Sequence, residues 1–343
     1  MRHLLNTLYV TTQGAYLARD GETIDVRVES ETKLRIPVHT LASVVCFGQV
    51  SCSPPLMGLC AERGVTVAFL TEHGRFLARV QGPVSGNVLL RRQQYRQADH
   101  PSWPAEAARV IVSAKIANSR TVLLRAAREG ESRDETGELE AASRRLGRLL
   151  EELQKPLPLD IARGIEGDAA RTYFSVFDHL IVTSKEDFFW KERSRRPPLD
   201  NVNALLSFLY TLLVHDVVSA LESVGLDPAV GYLHRDRPGR PSLALDLMEE
   251  LRPVVADRLA LSLINRKQVR GNGFRKTESG AVAMDDDTRK EVLVAYQKRK
   301  QDELQHPFLG EKVVFGIVPH IQAALFARCL RGDLDGYPPF FWR

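Results

Sequence analysis

The sequence predicts an α+β protein in which a small, mainly β N-terminal domain precedes a larger, all-α helical bundle. Up to about residue 87 the apolar positions alternate with polar ones at the strand period. Beyond Gly82-Pro83 they recur at three and four, the helical spacing. The length, 343 residues, suits two domains of ordinary size. The expected division is a β-rich domain at 1–87, a linker at 88–104 and a helical domain at 105–343.

In the first domain Ile24, Val26 and Val28 alternate with Asp25, Arg27 and Glu29, and Asp20-Gly21 just before them suits a hairpin turn. Apolar runs at 44–47, 65–70 and 76–80 read as further strands. Between them, PPLMGLCAER at 54–63, closed by Gly64, reads as one short helix. In the second domain Val110, Ala114, Ala117, Thr121 and Leu124 mark one amphipathic helix, and Leu139, Ala142, Leu146, Leu149 and Leu153 another, with a polar bridge at 128–137 between them. Helical spacing continues through 160–182, through Val202, Leu205, Leu209, Leu213, Val217 and Ala220, and from 242 to about 264. No internal repeat, Walker phosphate loop or GxGxxG fingerprint interrupts the pattern.

Composition is that of a water-soluble domain, 44% hydrophobic and 26% charged, without an apolar run near the ~18 to 20 residues of a membrane span. The opening MRHLLNTLYVTT turns polar too early for a secretory signal, so a cytoplasmic protein without membrane attachment is expected. A net charge of +4 is compatible with nucleic-acid binding and equally with many metabolic enzymes. Clusters say more: Lys191, Arg193, Arg195 and Arg196, the pairs Arg91-Arg92 and Arg144-Arg145, and the loop carrying Arg235, Arg237 and Arg240. Cys46, Cys52, Cys60 and Cys329 lack C-x-x-C spacing and read as reduced thiols.

The densest chemistry lies at 231–252, GYLHRDRPGRPSLALDLMEELR, where His234 precedes a helical run carrying Asp246, Glu249 and Glu250. Separations of three and four put these carboxylates near one face, where they repel each other. Acids near a helix start also complement its dipole, with Ser242 after Pro241 as an N-cap, which explains Asp246 better than Glu249. A histidine taken alone reads as a hydrogen-bonded structural residue before it reads as a ligand.

Glu166 sits in GIEGDAARTYF at 164–174, beside Ile165 and one turn from Ala162, Ala169 and Ala170. A carboxylate in so apolar a helix calls for a cation, either a metal or a salt bridge from Arg163 or Arg171. Gly164 and Gly167 each lower helix propensity by ~1 kcal/mol relative to Ala, a sensible concession where another backbone or a substrate approaches closely. An imidazole with carboxylates from separate helices suits Mg²⁺ or Mn²⁺ better than a thiolate-seeking metal, which points to phosphate chemistry.

Together with PLDNVNALLSFLY at 198–210, these segments resemble the CRISPR-associated adaptation integrases, the first of the Cas protein families. That family is marked by G-x-E-G-x-x-A-R-x-Y-F, then P-x-D-x-x-N-A-x-L-x-F-x-Y, then L-H-x-x-x-x-G-R-x-S-L-x-x-D-L-x-E-x-x-R-P, which here stand at 164–174, 198–210 and 233–253. HPFLGEKVVFG at 306–316, Gln322-Ala323-Ala324 and the final YPPFFWR are similar to the variant found beside type I-C systems.

The resemblance implies that Glu166, His234 and Glu249 are the catalytic metal ligands and that Asp246 is a second acidic position near the site. It also implies that Lys115 and Asn118 face the active-site region and that Tyr210 lies near the scissile phosphate. The implied activity is a Mg²⁺- or Mn²⁺-dependent DNA endonuclease and integrase of antiviral defence, which inserts short duplexes into the CRISPR repeat array by transesterification. Double-stranded and branched DNA would lie along Arg235, Arg237, Arg240, Lys191, Arg193, Arg195 and Arg196. The β domain would form a homodimer, and two dimers would flank a dimer of the second Cas adaptation protein in a heterohexameric complex. A phosphoesterase of small substrates and a non-catalytic DNA-binding scaffold are the competing readings. The tail YPPFFWR holds four aromatics too costly to leave in water, so it docks either on its own helical domain or on a partner.

Overall fold

The alternating N-terminal pattern resolves, in a computed structural model that describes residues 6–72, 74, 76–80, 82, 88–128 and 137–342, into two small sheets. In order come β1 (Asn6–Val10), β2 (Tyr16–Asp20), β3 (Thr23–Val28), β4 (Glu31–Pro37), β5 (Leu41–Phe47), β6 (Ser51–Cys52), helix α1 (Pro54–Glu62), β7 (Thr66–Leu70) and β8 (Phe76–Val80). One sheet has the order β1-β5-β7-β8 and the other β4-β3-β2-β6. The expected boundary at residue 87 and residues 129–136 of the polar bridge lie outside the described residues.

Local chemistry accounts for the β region. Asp20 pairs with Thr23 across the β2–β3 hairpin, and Gly21 supplies the positive φ of 57° that its two-residue turn requires. Helix α1 starts where the Ser53 hydroxyl accepts the Leu56 N–H at 3.3 Å, with Pro54 at the first helical position. Strand β5 is buried on both faces. Val44 and Cys46 pack with Leu17, Ile24 and Val67 between the sheets. Val45 and Phe47, with Ala68 and Leu70, join the core of the helical region instead.

The segment expected as a linker, 88–104, is structured: it holds α2 (Val88–Ala98) and the start of α3 (Trp103–Arg128). The buried Gln94 side chain fixes α2 by donating to the carbonyls of Asp227 at 2.8 Å and Val230 at 3.1 Å. Then follow α4 (Glu138–Glu152), α5 (Leu159–Ser175), α6 (Asn201–Ser223), α7 (Ser242–Glu249) and α8 (Arg258–Asn265). After them come the ribbon β9 (Phe274–Lys276) and β10 (Val282–Met284), α9 (Asp286–Gln301), the ribbon β11 (Glu303–Gln305) and β12 (Lys312–Val314), and α10 (Val318–Arg331). These two ribbons correct the all-α expectation, although the region remains a helical assembly.

Two periodicity readings are refined. The series Leu139, Ala142, Leu146, Leu149 and Leu153 is the buried stripe of α4 and its C-cap. In α3, by contrast, only Ala114 of the expected stripe is fully buried; Ala108, Ile111, Ile116, Val122 and Leu123 join it, because α4, α5 and α7 pack around this central helix. The run 242–264 is not one helix either. It breaks after Glu249 and continues as a π turn, Arg252–Asp257, where Pro253 lacks the N–H that an α ladder needs.

Helix α6 corrects a third expectation, since by length and composition it is apolar enough to cross a membrane. Its most apolar window is 67% buried inside the protein, as befits a helix of the core. All four cysteines are free thiols, and burial pushes Cys46 and Cys60 up to about 12.

Candidate metal and nucleic-acid site

Gly231 sets the geometry that brings His234 to α7. A Cβ there would lie 2.7 Å from the Ser242 side chain and 2.9 Å from Asp246 Oδ2, so only glycine allows the 231–234 loop to lie against the helix start. Ser242 is the first helical residue and not the expected N-cap; its hydroxyl donates to the Arg235 carbonyl at 3.3 Å. The fully buried Asp246 carboxylate then collects the loop. Oδ2 accepts the N–H of Tyr232 at 2.6 Å and of Leu233 at 3.0 Å, and Oδ1 accepts that of His234 at 2.9 Å.

The same Oδ1 lies 2.7 Å from His234 Nδ1. A carboxylate here accepts a hydrogen bond from Nδ1–H, which leaves Nε2 as the lone-pair nitrogen in the neutral ring. Nε2 lies 3.8 Å from Glu249 Oε1. Asp246 therefore orients the histidine, a role its place near a helix start did not disclose.

Glu249 is buried at 2% exposure and meets two cations. Arg252, one helical turn on, bonds Oε1, and Lys115 Nζ approaches Oε2 at 2.6 Å. Lys115 also donates to Glu166 Oε1, so its ammonium stands between the two carboxylates. Burial opposes ionisation of Glu249, but Arg252, Lys115 and His234 outweigh it and hold the carboxyl down at about 2. Burial also opposes the charge of Lys115, and Glu249 and Glu166 overcome it to raise the ammonium's pKa.

The alternative partners of Glu166 are engaged elsewhere. Arg163 bonds Asp160 and the Leu233 carbonyl, and Arg171 pairs with Asp168. A Cβ on Gly164 or Gly167 would meet nothing within 4 Å outside its own helix among the described residues, so that face has room there. Asn118, expected to face the active-site region, reaches the backbone beside Glu249 rather than the open pocket. It is completely buried, and its amide donates to the carbonyls of Glu250 at 2.7 Å and Phe340 at 2.8 Å. Glu250 likewise turns away from Glu249. Burial pushes its carboxyl up to about 7 while Tyr337, the Phe340 N–H and Gln322 pull against that shift.

A cleft of about 500 Å³, open solvent included, lies between Lys115, Glu166, Arg193, Arg195, Tyr210 and Arg252. The Tyr210 hydroxyl donates to Asp257 Oδ1 at 2.6 Å, and burial raises the Asp257 carboxyl to about 6. The guanidiniums of Arg252 and Arg193 lie 5.1 and 5.4 Å from the Tyr210 ring centre. Arg193 is not a free surface charge, since it bonds Asn203 Oδ1 at 2.6 Å and Ser207. Lys191, Arg195, Arg196, Arg235 and Arg237 are exposed, and Arg235 pairs with Asp160 at 3.4 Å. Partial burial and the charges of Arg237, Arg196 and Arg252 lower the pKa of Arg240, with Asp246 opposing them.

Sequence reasoning missed Arg252 and Asp257. Arg252 was within reach as the i+3 partner of Glu249. Asp257, a lone acid in the apolar run PVVADRLA, carried only the signal that so buried a carboxyl needs a donor.

Among the described residues no three His, Cys, Asp or Glu side chains close together tightly enough to hold an ion. Glu166 and Glu249 instead share the Lys115 ammonium, and His234 Nε2 lies 3.8 Å from the other oxygen of Glu249. Their chemistry fits a hard divalent cation: two carboxylates, an oriented imidazole, and a buried Glu249 Oε2 that accepts no well-aligned hydrogen bond.

Comparison with known proteins places the chain in a family. Residues 8–298 match the family described as CRISPR associated protein Cas1. A protein of Chlorobaculum tepidum named CRISPR-associated endonuclease Cas1 1 is 55% identical over 343 residues, 100% of each chain. One of Rhodospirillum rubrum, CRISPR-associated endonuclease Cas1 2, is 53% identical over 347 residues and 100% of each chain. A solved CAS1 protein from Thermotoga maritima shares the fold with a TM-score of 0.81 at 24% identity, over 98% of this chain and 100% of that one. With the family motifs, the two-part fold and these full-length relatives in agreement, the chain belongs to the CRISPR-associated Cas1 family.

Proposed function

We propose that this protein is a divalent-metal-dependent DNA endonuclease and integrase of CRISPR spacer acquisition, which inserts short duplexes into the repeat array by transesterification. The observation that supports the reading is that Glu166 and Glu249, from separate helices, share the Lys115 ammonium while His234 Nε2 lies 3.8 Å from Glu249. Mg²⁺ or Mn²⁺ bound by Glu166, His234 and Glu249 would supply Lewis-acid polarisation of a phosphoryl oxygen.

The protein's own groups do the rest. Asp246 keeps His234 in one tautomer with Nε2 available. Arg252 keeps Glu249 ionised although it is buried. Lys115 balances the two carboxylates and lies on the wall of the pocket, where an ammonium also suits a phosphate oxygen. Tyr210, fixed by Asp257, borders the same pocket. The exposed Lys191, Arg195, Arg196, Arg235 and Arg237, with Arg240, offer a track for the backbone of double-stranded and branched DNA, and the attraction carries no base preference of its own. Arg193 acts through the Tyr210 ring and Ser207 rather than on the track.

We further propose a cytoplasmic homodimer paired through the β domain, two of which flank a dimer of the second Cas adaptation protein, and kinship with the type I-C variant on the strength of the C-terminal motifs. The deciding experiment is a metal titration followed by strand transfer on branched DNA. Activity lost in chelator and restored by Mn²⁺ or Mg²⁺ supports the reading. Hydrolysis of small phosphoesters without salt-sensitive duplex binding would replace it, and DNA binding with no metal-dependent reaction would leave a scaffold.

A further inference from the structure

The C-terminal tail is a motif that the proposed reaction leaves unused, and its residues 337–342 fold back onto their own helical domain. Tyr337 and Phe340 are buried there. Glu250, the neighbour of Glu249, accepts the Tyr337 hydroxyl, the Phe340 N–H at 2.6 Å and Gln322 Nε2 at 3.4 Å. Asn118, one turn along α3 from Lys115, donates to the Glu250 and Phe340 carbonyls and accepts the Trp342 N–H at 2.7 Å. The Trp342 ring lies 3.7 Å from the Arg125 guanidinium and 4.4 Å from that of Arg258.

We propose that residues 337–342 are a positioning strap for the metal site, which clamps α3 to the corner between α7 and α8. The inference rests on the reading of Glu249 as a metal ligand. The strap touches both arms of the site one step removed: Asn118 shares its helix with Lys115, Glu250 shares a peptide bond with Glu249, and Arg258 follows the turn that carries Arg252 and Asp257. Loosening it leaves Glu250 and Asn118 with unpaired buried groups, which only a shift of the corner can relieve. Metal ligands tolerate displacements of only ~0.5 Å, so such a shift reaches the site even though the tail touches neither ligand nor substrate. A tail that were merely a core staple would change stability alone.

The test uses the full-length protein and four variants. Tyr337→Phe keeps the ring and deletes the donor, Trp342→Ala removes the plate between two guanidiniums, and Trp342→Phe restores an aromatic face. Leu56→Ala, in the β domain, is the control for a loss of stability elsewhere. For each, Mn²⁺ affinity is measured by titration calorimetry, and the ¹⁵N shifts of the His234 imidazole are recorded in metal-free protein at one fixed pH. Tyr337→Phe and Trp342→Ala should bind Mn²⁺ roughly tenfold more weakly and move the His234 signals. Trp342→Phe should recover most of the loss, and Leu56→Ala should match wild type in both readouts. The strap is overturned if Tyr337→Phe and Trp342→Ala melt earlier but keep wild-type Mn²⁺ affinity and His234 shifts. If Trp342→Ala does not fold, Tyr337→Phe decides. If the wild type takes up no Mn²⁺, the metal reading fails, and the strap stands or falls on the His234 shifts alone.

Discussion

Glu249 and Glu250 are joined by one peptide bond, yet the first carboxyl is held at about 2 while the second is pushed up to about 7. Both are buried, so burial is not what separates them. Glu249 faces Arg252, Lys115 and His234, whereas Glu250 faces the neutral donors Tyr337, Gln322 and the Phe340 N–H. Cations sustain a charge in a poorly solvated place that neutral donors cannot sustain as well.

Lys115→Met should therefore destabilise the metal-free protein, by about 3 kcal/mol on the scale of a broken buried ion pair. Divalent metal should then stabilise the variant more than wild type, because the competing ammonium is gone. Urea denaturation in chelator and in Mn²⁺ measures both effects. Equal stability of the two proteins in chelator would remove Lys115 from this electrostatic role.

Asp246→Ala should cost more stability than Glu166→Ala. The first leaves the backbone N–H groups of Tyr232, Leu233 and His234 without their acceptor, a loss of roughly 3 kcal/mol. The second deletes a partly exposed carboxylate and leaves Lys115 with Glu249, for a change of about 1 kcal/mol or less. Strand transfer should disappear in both, and parallel denaturation curves and activity assays would show it. The reverse order of stability would mean that Asp246 does not hold the loop.

His215, on α6, gives the fold a pH dependence of known sign. Burial lowers its pKa from 6.5 to about 4, with Arg79 adding to burial and Asp216 opposing it. The unfolded chain binds a proton at a higher pH than the folded one, so the contribution is complete above about 6.5 and is lost as pH falls toward 4. His215→Gln should flatten the stability curve in that window by up to ~1.4 kcal/mol per pH unit. An unchanged slope between those limits would show that the ring is protonated in the fold.

Neutralising Arg195, Arg196, Arg237 and Arg240 together to Gln should shrink the slope of log affinity for duplex DNA against log salt. Each lost phosphate contact accounts for roughly 0.9 of slope. Arg193→Gln should leave that slope alone and disturb Tyr210 instead, given its bonds to Asn203 and Ser207. A full wild-type slope in the quadruple variant would put the phosphate track on another face.

Legibility in the sequence followed the range of the forces involved. Strand alternation at Ile24, Val26 and Val28, the Asp20-Gly21 turn and the stripe of α4 are written locally, and the structure carries them as read. Glu166, His234 and Glu249 were singled out through the family motifs that carry them, since each taken alone also has a purely structural reading. What escaped depends on distant neighbours. The buried face of α3 follows from three helices packed around it, and Asn118 turns to the tail because a buried amide needs partners that lie more than a hundred residues away. Ser242 lost the cap position to Pro241 because the 231–234 loop crosses the helix start. No local count registers such a crossing.

Strand β5 makes the chain indivisible. From Val44 to Phe47 its alternate residues furnish two different rooms, so the strand is a party wall rather than a border between domains. A cut near residue 87 would turn Val45, Phe47, Ala68 and Leu70 out to water, and neither fragment would inherit a finished interior. Exchange of halves between relatives succeeds only where both faces of this wall arrive matched to their new tenants, which ties the dimensions of the β region to those of the catalytic one.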